Sequence, residues 1–243
     1  VAVTGVQTCA LPISWTGLMY NFDGTVKNCI RSADAIGNIS NTDIEQILKN
    51  DHNVKTHMQA GQQFDRCKPC YDLEAGKNSY NIISDRVFYL KELRDVDTRL
   101  YDTTDFDLHT VDVRWSNLCN LTCVYCNPET STAWQGVKKI PIEFVRNERP
   151  SLIELAKEKG KSVQGLTLGG GEPLLQKGLV EFLRCLDSTK VNVLVTTNLS
   201  VDIADNEVYQ ELRQWPNVDW QVSFDNCTKE KFEYVREIGR AHV

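Results

Sequence analysis

The chain has 243 residues, 41% of them apolar and 25% charged, with a formal net charge of −6 at neutral pH. That composition is ordinary for a globular protein. It leaves no basic footprint for nucleic acid, and no stretch approaches the roughly 18 apolar residues needed to span a membrane. The length suits one medium domain with a small one beside it.

Taken in chain order, residues 1–13 are expected to be foreign to the fold, as are residues 237–243 at the other end. Thr8-Cys9-Ala10-Leu11-Pro12-Ile13 can be encoded by ACG TGT GCT CTT CCG ATC. The reverse complement of that DNA, shifted by one base, encodes Ile238-Gly239-Arg240-Ala241-His242-Val243. Two strands of one short DNA at opposite ends are the mark of a sequencing-library adapter. Both ends are therefore set aside as a fusion scar would be, and the natural protein is expected to be longer at each. The apolar N-terminal stretch lacks a basic n-region and is not read as a signal peptide.

Residues 14–84 are expected to form a small α+β domain. Strands over 15–20 and 25–27 flank Asp23-Gly24, a hairpin signal, and Cys29 follows the second strand. Short helices are expected over 44–48 and 54–58, and Cys67-Lys68-Pro69-Cys70 is expected to form a tight knuckle. Residues 85–108 are charge-rich and are assigned as a link.

From residue 109 to 236 strands and helices alternate. Residues 111–115, 163–168, 191–197 and 218–224 read as strands, and 151–159, 174–186, 207–215 and 229–236 as helices. The run over 191–197 is nearly all apolar, as in parallel strands buried on both faces. Four βα units imply a parallel sheet with right-handed crossovers, either barrel-like or doubly wound. In both, working residues lie at the C-terminal ends of strands. Cys119, Cys123, Cys126, Gly169 to Glu172, Asn198 and Asp225 each fall just after a strand and would share one rim.

Eight cysteines remain once Cys9 is set aside. Their grouping as C-x2-C and C-x3-C-x2-C reads as metal or cluster ligation in a reducing, cytoplasmic compartment rather than as a disulfide framework. Thiolates at Cys119, Cys123 and Cys126 can hold three irons of a cubane cluster and leave the fourth iron open to a substrate or cofactor. A structural zinc site usually takes four ligands from two C-x2-C pairs, and a ferredoxin needs a fourth cysteine close by; neither pattern fits well. Cys185 and Cys227 read as small buried thiols. His52, His57 and His109 show no partner pattern.

The string Cys119-Asn120-Leu121-Thr122-Cys123-Val124-Tyr125-Cys126, with Gly169-Gly170-Gly171-Glu172-Pro173-Leu174 after it, resembles the radical S-adenosylmethionine superfamily over residues 111–236. The resemblance implies an open (β/α)6 TIM-like barrel, of which about four units are present. It implies a [4Fe-4S] cluster on Cys119, Cys123 and Cys126, with S-adenosylmethionine chelating the open iron. One-electron cleavage of the cofactor would then give a 5′-deoxyadenosyl radical that abstracts hydrogen from a substrate. By the same resemblance Gly169, Gly170, Gly171, Glu172 and Pro173 lie against the methionine end and Tyr125 beside the adenine. Asn198, Ser223 and Asp225 stand where further cofactor contacts are placed, and Ser131 and Trp134 either line the site or belong to a solvated loop. An external one-electron donor of flavodoxin or ferredoxin type is implied.

The arrangement of Trp15, Asp23-Gly24, Cys29 and Cys67-x2-Cys70-Tyr71 resembles the SPASM/twitch domain, which holds an auxiliary [4Fe-4S] cluster. Its place ahead of the barrel departs from the usual order. A further cysteine is common near the position of Leu11-Pro12-Ile13. A zinc knuckle on Cys29, Cys67 and Cys70 is the alternative, and a domain this small needs a metal staple in either case. Members with this auxiliary domain often modify peptides or proteins, so a peptidyl substrate is the expectation. The competing class is a non-catalytic iron–sulfur protein that carries electrons or binds a partner.

Overall fold

A computed structural model of the chain describes residues 14, 16–29, 32, 34–50, 52–60, 62–76, 84, 87, 102, 106–139 and 150–236. The expected foreign ends, Trp15 and most of the 85–108 link lie outside the described residues. The described residues carry a mixed α/β arrangement with seven strands. They fall into two compact units, the first within Val1–Met19, Gly24–Val111 and Ser162–Gly165 and the second within Tyr20–Asp23, Asp112–Lys161 and Leu166–Val243.

In the first unit, strands β1 (Gly17–Tyr20) up to Met19, β2 (Thr25–Lys27) and β3 (Gly37–Asn38) lie in the order β3-β2-β1. Gly24, at φ 85°, makes the tight turn between β1 and β2 that Asp23-Gly24 announces. The short β3 pairs antiparallel with β2, Val26 opposite Gly37, and has no sequence signal of its own. Helix α1 (Ile44–Lys49) starts where the Asp43 side chain accepts from the Glu45 amide at 2.9 Å, and it buries Ile44, Ile47 and Leu48. Helix α2 (His52–Gln59) buries Val54 and Met58, against which Phe64 and Cys67 pack.

The Cys67-x2-Cys70 segment is not a knuckle. A 3₁₀ turn over Asp65–Cys67 runs straight into helix α3 (Lys68–Glu74), with Pro69 in the first turn, where its missing N–H is not needed. Cys67 precedes the helix and Cys70 is buried one turn along it.

The second unit holds β4 (Thr110–Arg114) from Asp112 on, β5 (Gly165–Gly169) from Leu166 on, β6 (Asn192–Thr197) and β7 (Val218–Val222). They lie side by side in chain order, β4-β5-β6-β7, and β6 pairs parallel with β7 from Val193 opposite Val218 to Thr197 opposite Val222. Helices α4 (Thr132–Lys138) and α5 (Pro150–Lys159) follow β4, α6 (Leu179–Leu183) follows β5, α7 (Glu207–Leu212) follows β6 and α8 (Lys229–Arg236) follows β7. Leu152, Leu155 and Ala156 form the buried face of α5, and Phe182 of α6 meets Trp115 at 6.1 Å between ring centroids.

Two further elements, in the second unit, differ from the sequence expectation. The apolar period over 174–186 does not make one helix: a 3₁₀ turn over Pro173–Leu175 is separated from α6 by Gln176, Lys177 and Gly178. The Leu174 carbonyl, which a continuous helix would use internally, instead accepts from Asn206 Nδ2 at 2.6 Å. Strand β6 is not buried on both faces. Val193, Val195 and Thr197 are buried, whereas Asn192 and Leu194 are exposed, so the strand alternates like one with a single covered face.

Asn206 also caps α7, its Oδ1 accepting from the Tyr209 amide at 2.9 Å. Asn206→Ala removes the cap and the bond to Leu174 together. A loss of about 1–2 kcal/mol is expected in urea unfolding.

Candidate active site

The segment after β4 carries Cys119, Cys123 and Cys126, and its backbone is tied down by the stretch that leads into α4. Ser131 Oγ donates to the Leu121 carbonyl at 2.8 Å, Thr132 Oγ1 to the Cys119 carbonyl at 3.1 Å and Trp134 Nε1 to the Cys123 carbonyl at 2.9 Å. Ser131 and Trp134 are thus the scaffold of the cysteine loop, and Ser131 is fully buried. The Val124 amide donates to the Val235 carbonyl at 2.9 Å, which fastens the same loop to the end of α8.

The glycines after β5 lie against this loop. Gly170 has φ 100°, and a Cβ on it would sit 2.9 Å from the Ser116 carbonyl oxygen. A Cβ on Gly171 would be 2.3 Å from the Leu118 carbonyl oxygen. Both therefore give their bare backbone to the protein's own chain. Gly169 is different, because a Cβ there would meet nothing within 4 Å.

Glu172 is fully buried. Its Oε1 accepts from Thr197 Oγ1 at 2.6 Å and from the Leu174 amide at 3.1 Å, and its Oε2 accepts from the Asn198 amide at 2.7 Å. Burial holds this carboxyl above its ordinary range, although the three donors work the other way. The carboxylate joins the end of β5 to the end of β6. Pro173 is buried and opens the 3₁₀ turn after it.

Beyond β6, Asn198 Nδ2 points to Cys119 Sγ at 3.8 Å and to Asn120 Oδ1 at 3.4 Å, while Leu199 takes a left-handed φ of 50°. Beyond β7, the Asp225 carboxylate accepts from the Tyr125 hydroxyl at 3.2 Å and forms an ion pair with Arg236 Nε. The Ser223 carbonyl accepts from an Arg236 terminal nitrogen at 2.6 Å. Cys119, Cys123, Cys126, Tyr125, Gly170 to Glu172, Asn198, Ser223 and Asp225 lie beyond the ends of β4 to β7, and Gly169 is the last residue of β5.

Each of the three sulfurs has a polar group beside it. Asn198 Nδ2 faces Cys119, an Arg236 terminal nitrogen donates to Cys123 Sγ at 3.3 Å, and Thr130 Oγ1 shares a hydrogen bond with Cys126 Sγ at 3.1 Å. Burial pushes the Cys119 thiol above its ordinary value; the Leu121 amide opposes this and the charge of Glu172 adds to it. Among the described residues no three His, Cys, Asp or Glu side chains gather as ligands of a single ion. Thiolates that each take a separate iron need not gather in that way. A donor at Cys119 and at Cys123, with a hydroxyl at Cys126 able to donate or accept, suits anionic thiolates, so the donor set fits an iron–sulfur cluster.

The model of the radical SAM superfamily matches residues 113–243, just over half of the chain. The chain belongs to this superfamily. With the assignment come a [4Fe-4S] cluster and S-adenosylmethionine. The chain is 31% identical over 136 residues to a GTP 3′,8-cyclase of Heliobacterium modesticaldum, covering 55% of this chain and 39% of that protein. It is 34% identical over 116 residues to a 7-carboxy-7-deazaguanine synthase of Clostridium acetobutylicum, covering 47% of each. The chain thus spans less than half the length of these curated relatives. No solved structure matches it.

In the first unit Cys29 follows β2 and is half-buried, Cys67 is half-buried and Cys70 is buried. Leu11-Pro12-Ile13, which stand where that domain commonly carries a further cysteine, fall outside the described residues. Cys227 is exposed rather than buried, and Cys185 is half-buried with its thiol toward the Glu181 carbonyl at 3.3 Å. His109 Nε2 pairs with Asp107 at 2.8 Å, and His57 meets Phe64 edge-on. Among the described residues no helix is long and apolar enough to cross a membrane. Arg236, Thr197 and Thr130 belong to the site and carry no signal in the sequence.

Proposed function

We propose that Cys119, Cys123 and Cys126 hold the [4Fe-4S] cluster of a radical S-adenosylmethionine enzyme and that the chain binds the cofactor at the rim formed by β4 to β7. The observation that carries this reading is the polar partner at each of the three sulfurs, together with the open space at Gly169. When bound, cluster and cofactor supply one-electron cleavage of a carbon–sulfur bond and, from it, hydrogen-atom abstraction. The chain's own part is to bind, orient and shield. Gly169 leaves room for the methionine end, Tyr125 offers a ring for the adenine, and Asn198, Ser223 and Asp225 line the same rim. Glu172 acts from behind as the tie between two strand ends. An external one-electron donor completes the reaction.

The chain-order arrangement β4-β5-β6-β7, without the reversal that marks a doubly wound sheet, supports an arc of a (β/α) barrel over residues 109–236. Residues 14–84, joined by 85–108, form the auxiliary domain on this reading, with Cys29, Cys67 and Cys70 holding a second [4Fe-4S] cluster. The two relatives are named for GTP and for a deazaguanine, so a guanine-type heterocycle takes precedence over a peptide or protein as the substrate class to test.

Anaerobic reconstitution with iron and sulfide, then S-adenosylmethionine and a strong reductant, is expected to yield 5′-deoxyadenosine and methionine. Replacing Cys119, Cys123 and Cys126 with alanine should abolish both products and remove about four irons per chain, leaving about four where an auxiliary cluster is present. A version extended to the length of these relatives that carries iron yet yields no 5′-deoxyadenosine would place the protein among electron carriers or binding modules instead.

A further inference from the structure

The geometry points to Arg236 as a positioning residue that sets the reduction potential of the cluster held by Cys119, Cys123 and Cys126; this rests on the proposed function above. Its side chain is only 4% exposed, and among the described residues its guanidinium meets Cys123, Ser223, Asp225 and Tyr125 of the candidate site. One terminal nitrogen donates to Cys123 Sγ at 3.3 Å, the other to the Ser223 carbonyl at 2.6 Å, and Nε forms the ion pair with Asp225. The guanidinium carbon lies 5.6 Å from the centroid of the Tyr125 ring, whose hydroxyl donates to the same Asp225 carboxylate at 3.2 Å.

A planar fork presents its donors from three separate nitrogens at fixed angles, whereas an ammonium presents its three from a single atom, so the site is built for arginine rather than for a cation in general. Burying a full positive charge is costly unless it is paired. Asp225 supplies one negative partner and the Cys123 thiolate the other. Hydrogen bonds and positive charge at a cluster sulfur favour the reduced, more negative state and so raise the potential. Asp225 offsets part of that charge. The two residues therefore act on the potential with opposite sign.

The experiment is a redox titration of the anaerobically reconstituted protein, followed by electron paramagnetic resonance, with iron content measured alongside. R236M should make the cluster about tenfold harder to reduce, ~59 mV for a one-electron couple. D225N, which frees the guanidinium charge, should move the potential the other way. Unchanged potentials in both variants, or shifts of the same sign, would overturn the assignment, since a merely structural role loosens the site alike in either case. Where R236M takes up no cluster, D225N decides alone: an upward shift supports the role and an unchanged value overturns it. An unsubstituted protein that binds no cluster would instead sink the proposed function on which the assignment rests.

Discussion

Glu172→Ala is expected to lower the stability of the second unit by about 3 kcal/mol or more. The side chain is 0% exposed, and three donors converge on it from Thr197 Oγ1, the Leu174 amide and the Asn198 amide. Alanine would leave those donors facing a hole. An unmade bond to a buried donor costs roughly 1–3 kcal/mol, and a charged acceptor stands at the upper end of that range. Some relief comes at Thr197, whose hydroxyl can rotate, and at the half-buried Asn198. Glu172→Gln keeps one acceptor oxygen but turns an amide N–H₂ toward a donor, so an intermediate loss is expected. Thr197→Val should cost only about 1 kcal/mol. Urea unfolding followed by fluorescence ranks the three variants by midpoint. The same loosening should reach Asn198 and, through it, Cys119. An Ala variant as stable as the parent would show that the carboxylate is free for a ligand rather than spent on joining β5 to β6.

The cysteine triad, the glycine run and the four βα units are legible in the sequence because each is written in neighbouring residues or in a short period. What could not be read lies in contacts between distant segments. Arg236 reaches Cys123 across 113 positions, and nothing in the amphipathic pattern of α8 separates it from an ordinary last-turn arginine at a helix end. The split of 174–186 has the same origin. Apolar spacing there is helical throughout, but Asn206 takes the Leu174 carbonyl and Gln176 Nε2 donates to the Ser116 carbonyl at 3.2 Å, so tertiary hydrogen bonds override the local period. At β6 the apolar run suggests cover on both faces, whereas Leu194 is 39% exposed and only the face carrying Val193, Val195 and Thr197 is buried. The knuckle at Cys67-x2-Cys70 failed for a local reason: Pro69 reads as a turn breaker, yet in a first turn it starts a helix.

Gly171→Ala should be the most damaging single methyl group in the site. The added Cβ would stand 2.3 Å from the Leu118 carbonyl oxygen and 2.7 Å from the Asn117 and Leu118 carbonyl carbons. All three are backbone atoms, so no side-chain rotation can relieve the overlap. The approach is enforced from both sides, by the Gly171 amide on the Ser116 carbonyl at 3.0 Å and the Glu172 amide on the Leu118 carbonyl at 2.8 Å. Making room means lengthening those bonds and displacing the segment that leads directly into Cys119. Overpacking of this kind costs about 1–3 kcal/mol, and two backbone bonds are lost with it, so a loss of about 3 kcal/mol in unfolding is expected, with iron content after reconstitution falling to less than about half. Gly169→Ala is the control that separates a fold role from a cofactor role within the same motif. Its Cβ enters open space, so stability and iron content should stay within about 0.5 kcal/mol and near parent values. The affinity for S-adenosylmethionine should fall instead, because the methyl group occupies room left at the rim. Equal losses of stability and iron from the two substitutions would show that all three glycines serve the fold alone, and the cofactor would then have to be placed elsewhere on the rim.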